Sequence, residues 1–233
     1  MTGPLMVITA VVLGALLAVA AWRLALAKAS RSAVRARYLD DCRPLFDDTR
    51  QRLAVTGFPR LAGRYRGKTF DLQVVPDTLT FRKLPALWVL VSLPEPMPLK
   101  ARFDLMVRPG GAETFSVFHT LPHQRPCPPG CPDDCAIRTD DPSELAGERV
   151  MQRHLDLFED PRVKEVIFAP EGLRIVFLAE EADRGRYLIF RDAEMGTVPL
   201  DARRLEPFLQ RLVAFAHDIQ ELQEAEMMRR DAA

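Results

Sequence analysis

An apolar run within the first 27 residues constrains the fold more than any other feature of the sequence. No charged side chain precedes Arg23, and the residues from Leu5 to Ala27 are otherwise almost all apolar. As an α-helix, Leu5–Ala27 would be about 34 Å long at about 1.5 Å per residue, and the hydrocarbon core of a bilayer is about 30 Å thick. We therefore expect residues 1–27 to form a transmembrane anchor.

Two other structures are compatible with the same run. A cleaved signal peptide would use Ala25-Leu26-Ala27 as its small-residue cleavage site, although the first residues lack the basic n-region of a signal peptide. A buried core helix is the second alternative, but a basic stretch directly follows the run. An uncleaved anchor is the interpretation carried forward, and cleavage stays open.

Basic residues after the apolar run predict the orientation of the chain in the membrane. They precede the first acidic residue, Asp40, and Arg23 can extend to the lipid headgroups from the end of the helix. Because cytoplasmic flanks carry the excess of Lys and Arg, we expect a single-pass, N-out protein of the cell inner membrane with a cytoplasmic soluble domain. The membrane-surface basic collar comprises Arg23, Lys28, Arg31, Arg35 and Arg37.

After the anchor, the sequence predicts an α+β fold with an antiparallel sheet and two packed helices. Thr69–Val75 and residues 102–108 alternate apolar and polar side chains, and Leu87–Leu93 is apolar as in a central strand. A hairpin is predicted over residues 163–179 and an amphipathic helix over residues 205–224. We expect a transmembrane anchor at 1–27, a basic helical stem at 28–59, the α+β soluble domain (here called the head) at 60–226, and a disordered tail at 227–233.

Other elements are predicted from local pattern alone. Residues 45–55 indicate a short amphipathic helix within the stem, and residues 148–158 indicate a helix in the head. Residues 115–119 are expected to return as a strand after the turn signal Pro109-Gly110-Gly111. Residues 186–191 are expected to form a third strand after the hairpin. Trp88, inside an apolar strand, is expected to be buried.

A proline-rich loop carries an unusual set of potential metal ligands. Histidine and cysteine recur there at every fourth position, and the five prolines between residues 121 and 136 exclude a regular helix. Such ligands suit zinc, copper or iron–sulfur, although a structural zinc knuckle uses C-x₂-C spacing. A zinc or iron site, a disulfide between two of the cysteines, and a surface loop with reduced cysteines all stay open. The candidate ligands are His119, His123, Cys127, Cys131 and Cys135.

Composition and motifs narrow the function classes. The 32 Lys+Arg residues balance the 32 Asp+Glu residues, so no net charge favours nucleic acid as a partner. The sequence contains no phosphate-binding loop, nucleophile elbow or H-E-x-x-H motif. We therefore expect the head to be a non-enzymatic interaction or accessory module, with the bilayer and a protein as partners. A metal- or redox-responsive protein and an unrecognised membrane-associated hydrolase are the alternatives.

The order of these features also carries a resemblance. Arg138-Thr139-Asp140-Asp141-Pro142 precedes a helix, and Val166-Ile167-Phe168 precedes a hairpin that contains Gly172-Leu173. With the apolar span and the basic stem before them, residues 138–222 make the chain resemble uncharacterised single-span bacterial membrane proteins with an α+β soluble domain. The resemblance implies a bacterial inner-membrane protein and carries over no site residue.

Overall fold

The computed structural model describes residues 3–78, 84–111, 113–190, 193 and 195–231. The α-helices within these residues are α1 (Gly3–Ala36), α2 (Ala146–Gln152), α3 (Arg184–Phe190) and α4 (Ala202–Asp231). The strands are β1 (Asp47–Leu53), β2 (Pro59–Tyr65), β3 (Lys68–Asp77), β4 (Ala86–Leu93), β5 (Phe103–Val107), β6 (His123–Arg125), β7 (Cys135–Thr139), β8 (Val163–Ala169) and β9 (Gly172–Glu181). Short 3₁₀ helices cover Asp40–Leu45, Phe118–Thr120 and Leu155–Glu159.

One antiparallel sheet contains all nine strands of the described chain. Its strand order is β1-β2-β3-β4-β9-β8-β5-β7-β6. The first four strands form a meander, and the hairpin of β8 and β9 inserts between β4 and β5, so early and late parts of the chain share one sheet. The predicted α+β class with an antiparallel sheet and one long apolar N-terminal helix is confirmed.

Helix α4 covers one face of the sheet, here called the helix-covered face. Its apolar side chains recur at spacings of three and four, so they form a single stripe that packs against β4 and β9. Phe208 stacks on Phe177 with ring centroids 4.4 Å apart, and Phe215 lies 4.9 Å from Phe168. The buried residues of the stripe are Leu205, Phe208, Leu209, Leu212, Phe215 and Ile219.

The N-terminal helix joins the folded core directly. Residues 38–59 contribute to the same core and sheet as residues 60–226, so the head is taken from here on to begin at Tyr38. Helix α1 ends at Ala36, and the core begins two residues later, because Tyr38 is 1% exposed and Leu39 is fully buried. The Tyr38 ring meets Phe58 edge-on at 5.7 Å, and the guanidinium group of Arg35 lies 5.3 Å from the centroid of the same ring. These contacts fix the direction in which α1 leaves the head.

The apolar part of α1 is not covered by the described protein. Residues 11–27 are exposed, and an apolar window of mean hydropathy 1.8 in this region has no buried residue. A core helix of a soluble protein would be mostly buried, so the exposure argues against the core-helix alternative. The helix is long and apolar enough to cross a membrane, and a signal sequence would meet the same criterion.

The helix predicted over residues 45–55 is wrong. Strand β1 forms there and pairs antiparallel with β2 at the edge of the sheet. Most side chains of β1 are exposed, and a polar edge strand lacks the apolar alternation that marks a half-buried strand. The backbone hydrogen bonds to β2, rather than the pattern of its own side chains, make this segment a strand.

The strand predicted at 115–119 is also wrong, and so is the one predicted at 186–191 over residues 186–190. Residue 191 lies outside the described part of the chain. Residues 115–117 form a loop that leads into a 3₁₀ helix, and residues 184–190 form α3. Each segment follows a strand whose two edges are already occupied: β5 lies between β8 and β7, and β9 lies between β4 and β8. Neither segment therefore has a free edge on the preceding strand to pair with.

Two helices differ in length from the predicted ones. The helical region near residue 150 consists of α2 and a separate 3₁₀ helix at Leu155–Glu159. Helix α4 continues to Asp231, so residues 227–231, placed in a disordered tail by the sequence analysis, are helical.

Candidate functional site

The sheet face opposite α4 carries charged side chains among apolar ones and is here called the polar face. Directly opposed residues of antiparallel strands point to the same face, so the register aligns side chains from β5, β8, β9, β4 and β3 in one row across the sheet. That row is Asp104, Ile167, Arg174, Ser92 and Asp71. The charged and hydroxyl residues of the polar face considered below are Arg60, Asp71, Ser92, Arg102, Asp104, Glu165 and Arg174.

Two buried carboxyl groups lie beside each other at the centre of this face. Asp104 and Glu165 are both 0% exposed, and they are diagonal neighbours because Asp104 opposes Ile167 on β8. The Ser116 hydroxyl donates to one oxygen of Glu165. The other Glu165 oxygen and both Asp104 oxygens have no donor among the described residues. The two carboxyl groups can hydrogen-bond to each other when one of them carries a proton.

Burial raises the pKa of both carboxyl groups. For Glu165, burial outweighs the hydrogen bond from Ser116 and the charge of Arg174, and it raises the pKa to about 7. For Asp104, burial and then the negative charge of Glu165 raise the pKa well above its ordinary range. Burial therefore favours the protonated form of both carboxyl groups, and the closeness of the two disfavours the state in which both are charged.

Arg102 and Arg174 lie near the carboxyl pair and line a cavity of about 200 Å³. Arg174 Nε donates to Ser92 Oγ at 2.9 Å, and Arg102 Nε is buried without an acceptor among the described residues. No ion pair within 4.0 Å joins either guanidinium group to a described carboxylate. Burial lowers the pKa of Arg174, although the charge of Glu165 opposes this shift.

Arg60 provides the contrast on the same face. Its Nε donates to both carboxylate oxygens of Asp71, at 2.7 and 3.0 Å. The Arg60 charge is therefore paired within the protein. The two arginines at the cavity, in contrast, have N–H donors without an acceptor among the described residues.

A loop crosses the polar face beside the carboxyl pair. Phe115 packs on Trp88 with ring centroids 5.0 Å apart and forms a small apolar cluster with Leu90 and Val176. Ser116 follows directly and reaches Glu165. Trp88, which the sequence analysis expected to be buried, is half-buried because its ring lies under this loop rather than under α4.

The three loop cysteines lie on a curled stretch of chain. The backbone N–H of Cys131 donates to the Pro128 carbonyl at 3.3 Å, and that of Cys135 donates to the Pro132 carbonyl at 3.1 Å. Cys127 Sγ donates to the Cys135 carbonyl oxygen at 3.3 Å. Two successive turns therefore bring together cysteines that an extended loop would hold about 10–13 Å apart.

These thiols are free, half-buried and packed against the core. Burial, and then a hydrogen bond with Cys127, raises the pKa of Cys135. Burial, and then the charge of Cys127, raises the pKa of Cys131. Burial therefore favours the protonated thiols of Cys131 and Cys135, and a metal ion would have to displace these protons.

The two histidines of the predicted ligand set are not gathered with the cysteines. His119 and His123 are exposed, and the His119 ring meets Phe118 edge-on at 5.3 Å. In the described chain, the set of three ligand-type side chains whose donor atoms all lie within 4.8 Å of one another is an exposed group on α4: His217, Asp218 and Glu221. The sulfur atoms of Cys127, Cys131 and Cys135 do not all lie within that distance of one another. A metal at the cysteine loop stays a prediction.

The basic collar lies along the end of α1. Arg23 and Arg31 are exposed, Arg35 packs over the Phe58 ring, and Arg37 pairs with Asp40 at 3.4 Å. Lys28 lies within α1, and its side chain falls outside the described residues.

The polar face was not predicted from the sequence. Asp104 falls on the polar side of an alternating strand, a side that is usually exposed to solvent. The available signal was a charged residue inside a largely apolar strand, as with Asp104, Glu165 and Arg174, because charged side chains are rarely buried without a partner.

Comparison of the chain with protein-family models, with curated proteins and with solved structures found no match.

Proposed function

We propose that the chain is a single-span, N-out protein of the inner membrane whose cytoplasmic head is a non-enzymatic binding module. Its partner is a protein that docks on the polar face of the sheet. The membrane part of the proposal is supported by the exposed apolar stretch of α1 and by the basic collar that follows it.

The observation that carries the binding role is the pair of arginines that line the cavity, Arg102 and Arg174, whose guanidinium groups are incompletely paired within the protein. A buried polar atom without a partner costs about 1–3 kcal/mol, and an incompletely paired buried charge costs more. Arg102 Nε is such an atom at the cavity, and Arg174, which also lines it, has no ion pair within 4.0 Å to a described carboxylate. Arg60 and Asp71 show that this face can pair its charges. A partner with an acceptor group in the cavity would supply the hydrogen bonds that these arginines lack within the protein.

Site-specific photo-crosslinking in intact membranes tests this role. A photoreactive side chain replaces Glu171, which is exposed and lines the cavity, and in a control it replaces Gln220, which is exposed on α4. We expect a discrete protein adduct from position 171, none from position 220, and loss of the adduct when Arg174→Met is added. Equal labelling at both positions, or none at either, would contradict the proposal.

The cysteine loop supports a second candidate function, a metal- or redox-responsive protein. The observation in its favour is the pair of turns that gathers Cys127, Cys131 and Cys135. Zinc and iron content of the reduced full-length chain, wild type against Cys131→Ser, tests it. Near-stoichiometric metal that is lost on substitution supports the site, and a metal-free wild type removes it.

A further inference from the structure

The cavity beside the carboxyl pair is small and bordered by hydrogen-bond donors. Its residues include Ser92, Pro94, Arg102, Ile167 and Arg174, and its volume is about 200 Å³. Pockets for drug-sized ligands are about 300–1,000 Å³, so this one suits a single functional group rather than a whole organic molecule.

The donors in the cavity are the two guanidinium groups. Each has five N–H donors in a planar fork, the geometry that matches the oxygens of a carboxylate or a phosphate. Arg174 uses Nε on Ser92, and the side chain of Arg102 makes no hydrogen bond in the described part of the chain. Most of these donors are therefore free to bind a ligand.

The charge balance also favours an anion. The cavity is lined by two cations and one acid, Glu171, and that acid is exposed, where solvent and salt screen it. Asp104 and Glu165 do not line the cavity, although the charge of Glu165 acts on Arg174. Burial raises the pKa of both carboxyl groups, so the pair compensates the two arginines only in part, and an anion in the cavity would complete the compensation.

We infer that Arg102 and Arg174 form a subsite for an oxyanion group, a carboxylate or a phosphate, carried by the protein that docks on the polar face. The inference rests on the proposed function and names the chemistry by which that partner is recognised. Ser92 positions Arg174 through its hydroxyl.

Titration calorimetry on the full-length chain in detergent tests the subsite. Inorganic phosphate and acetate are titrated separately at constant ionic strength in chloride. We expect one saturable equivalent of at least one probe, with binding weakened about ten-fold or more by Arg102→Met or Arg174→Met, the loss expected for a hydrogen bond to a charged group. The matched control is Arg52→Met, a change on the exposed edge strand β1 that should leave binding unaltered.

Further measurements keep the test decisive. Unfolding curves establish that each variant folds, and Arg174→Lys, which keeps the charge but loses the fork, should bind less tightly than wild type. Phosphate-selective or acetate-selective binding assigns the group to a phosphoryl or a carboxyl source. No saturable binding, or equal binding by all variants, overturns the subsite.

Different outcomes of these experiments would disprove the subsite and the proposed function. An absence of anion binding with an intact adduct from position 171 removes the subsite and keeps the docking role. Anion binding without any adduct keeps the subsite and removes the protein partner.

Discussion

Glu165 is expected to make the stability of the head depend on pH. Its pKa is about 7 in the folded chain and 4.5 as an unperturbed group, because burial disfavours the carboxylate. Between these values the unfolded chain loses its proton while the folded chain keeps it, so the contribution of Glu165 to stability is fully present below about pH 4.5 and is lost as pH rises through about 7. The raised pKa of Asp104 acts in the same direction.

The substitution Glu165→Gln should remove most of this fall. The amide cannot ionise and can still accept the hydrogen bond from Ser116, so the loss of on the order of 2–3 kcal/mol between pH 5 and pH 7 should shrink. Urea unfolding of the full-length chain across that range measures the effect, with exposed Glu171→Gln as control. Parallel stability curves for wild type and Glu165→Gln would show that Glu165 does not titrate there.

Gly172 allows the β8–β9 hairpin to approach the end of β4. Its φ is +146°, and an added Cβ would lie 2.3 Å from the Leu93 carbonyl oxygen. That neighbour is backbone and cannot move cheaply, so Gly172→Ala should destabilise the head by about 2–3 kcal/mol or more.

A matched glycine separates steric clash from backbone strain in that experiment. Gly67 has φ +80° and nothing within 4 Å of an added Cβ, so Gly67→Ala should cost only about 1–2 kcal/mol. Chemical unfolding of both variants gives the comparison. A Gly172 variant no less stable than the Gly67 variant would mean that the hairpin relaxes around the new methyl group.

At the scale of elements, α4 holds the helix-covered face through aromatic contacts. Phe215 is fully buried, 4.9 Å from both the Phe168 and the His154 rings. Phe215→Ala should destabilise the head by about 3–5 kcal/mol, because the cavity cannot close between a helix and a sheet. Met228→Ala, at a side chain that is 66% exposed near the end of the same helix, should change stability by less than about 0.5 kcal/mol. Similar losses from both would remove α4 from the core.

Elements with a complete local pattern were predictable from the sequence. Alternation marked β3 and β5, continuous apolar side chains marked β4, and the spacing of Leu205 to Ile219 marked α4. Strand β1 was not predictable because a polar edge strand lacks apolar alternation, and helix α3 was not predictable because both edges of β9 are already occupied. The polar face was missed because Asp104 and Glu165 meet only through the pairing of β5 with β8, two strands distant in sequence.

At the scale of the whole molecule, the orientation of α1 in the membrane decides on which side the head lies, and reporter fusions test it. The collar should hold the head in the cytoplasm, because positive charge is retained on that side. A reporter active only in the cytoplasm, fused after Ala233, should be active, and one active only in the periplasm should be silent. Replacing Arg23, Lys28 and Arg31 with Gln should give a mixed orientation, while Arg35 is left intact because it packs on Phe58.

The same fusion bears on the chemistry of the cysteines. In the reducing cytoplasm Cys127, Cys131 and Cys135 stay as thiols, the form that is available to bind a metal. A periplasmic head would place them in an oxidising compartment, where two neighbouring thiols form a disulfide, so the metal hypothesis would lose its premise. Labelling with a membrane-impermeant maleimide reports which side they face. Label that enters only after the membrane is opened supports a cytoplasmic head, and labelling of intact inner membranes from the periplasmic side contradicts it.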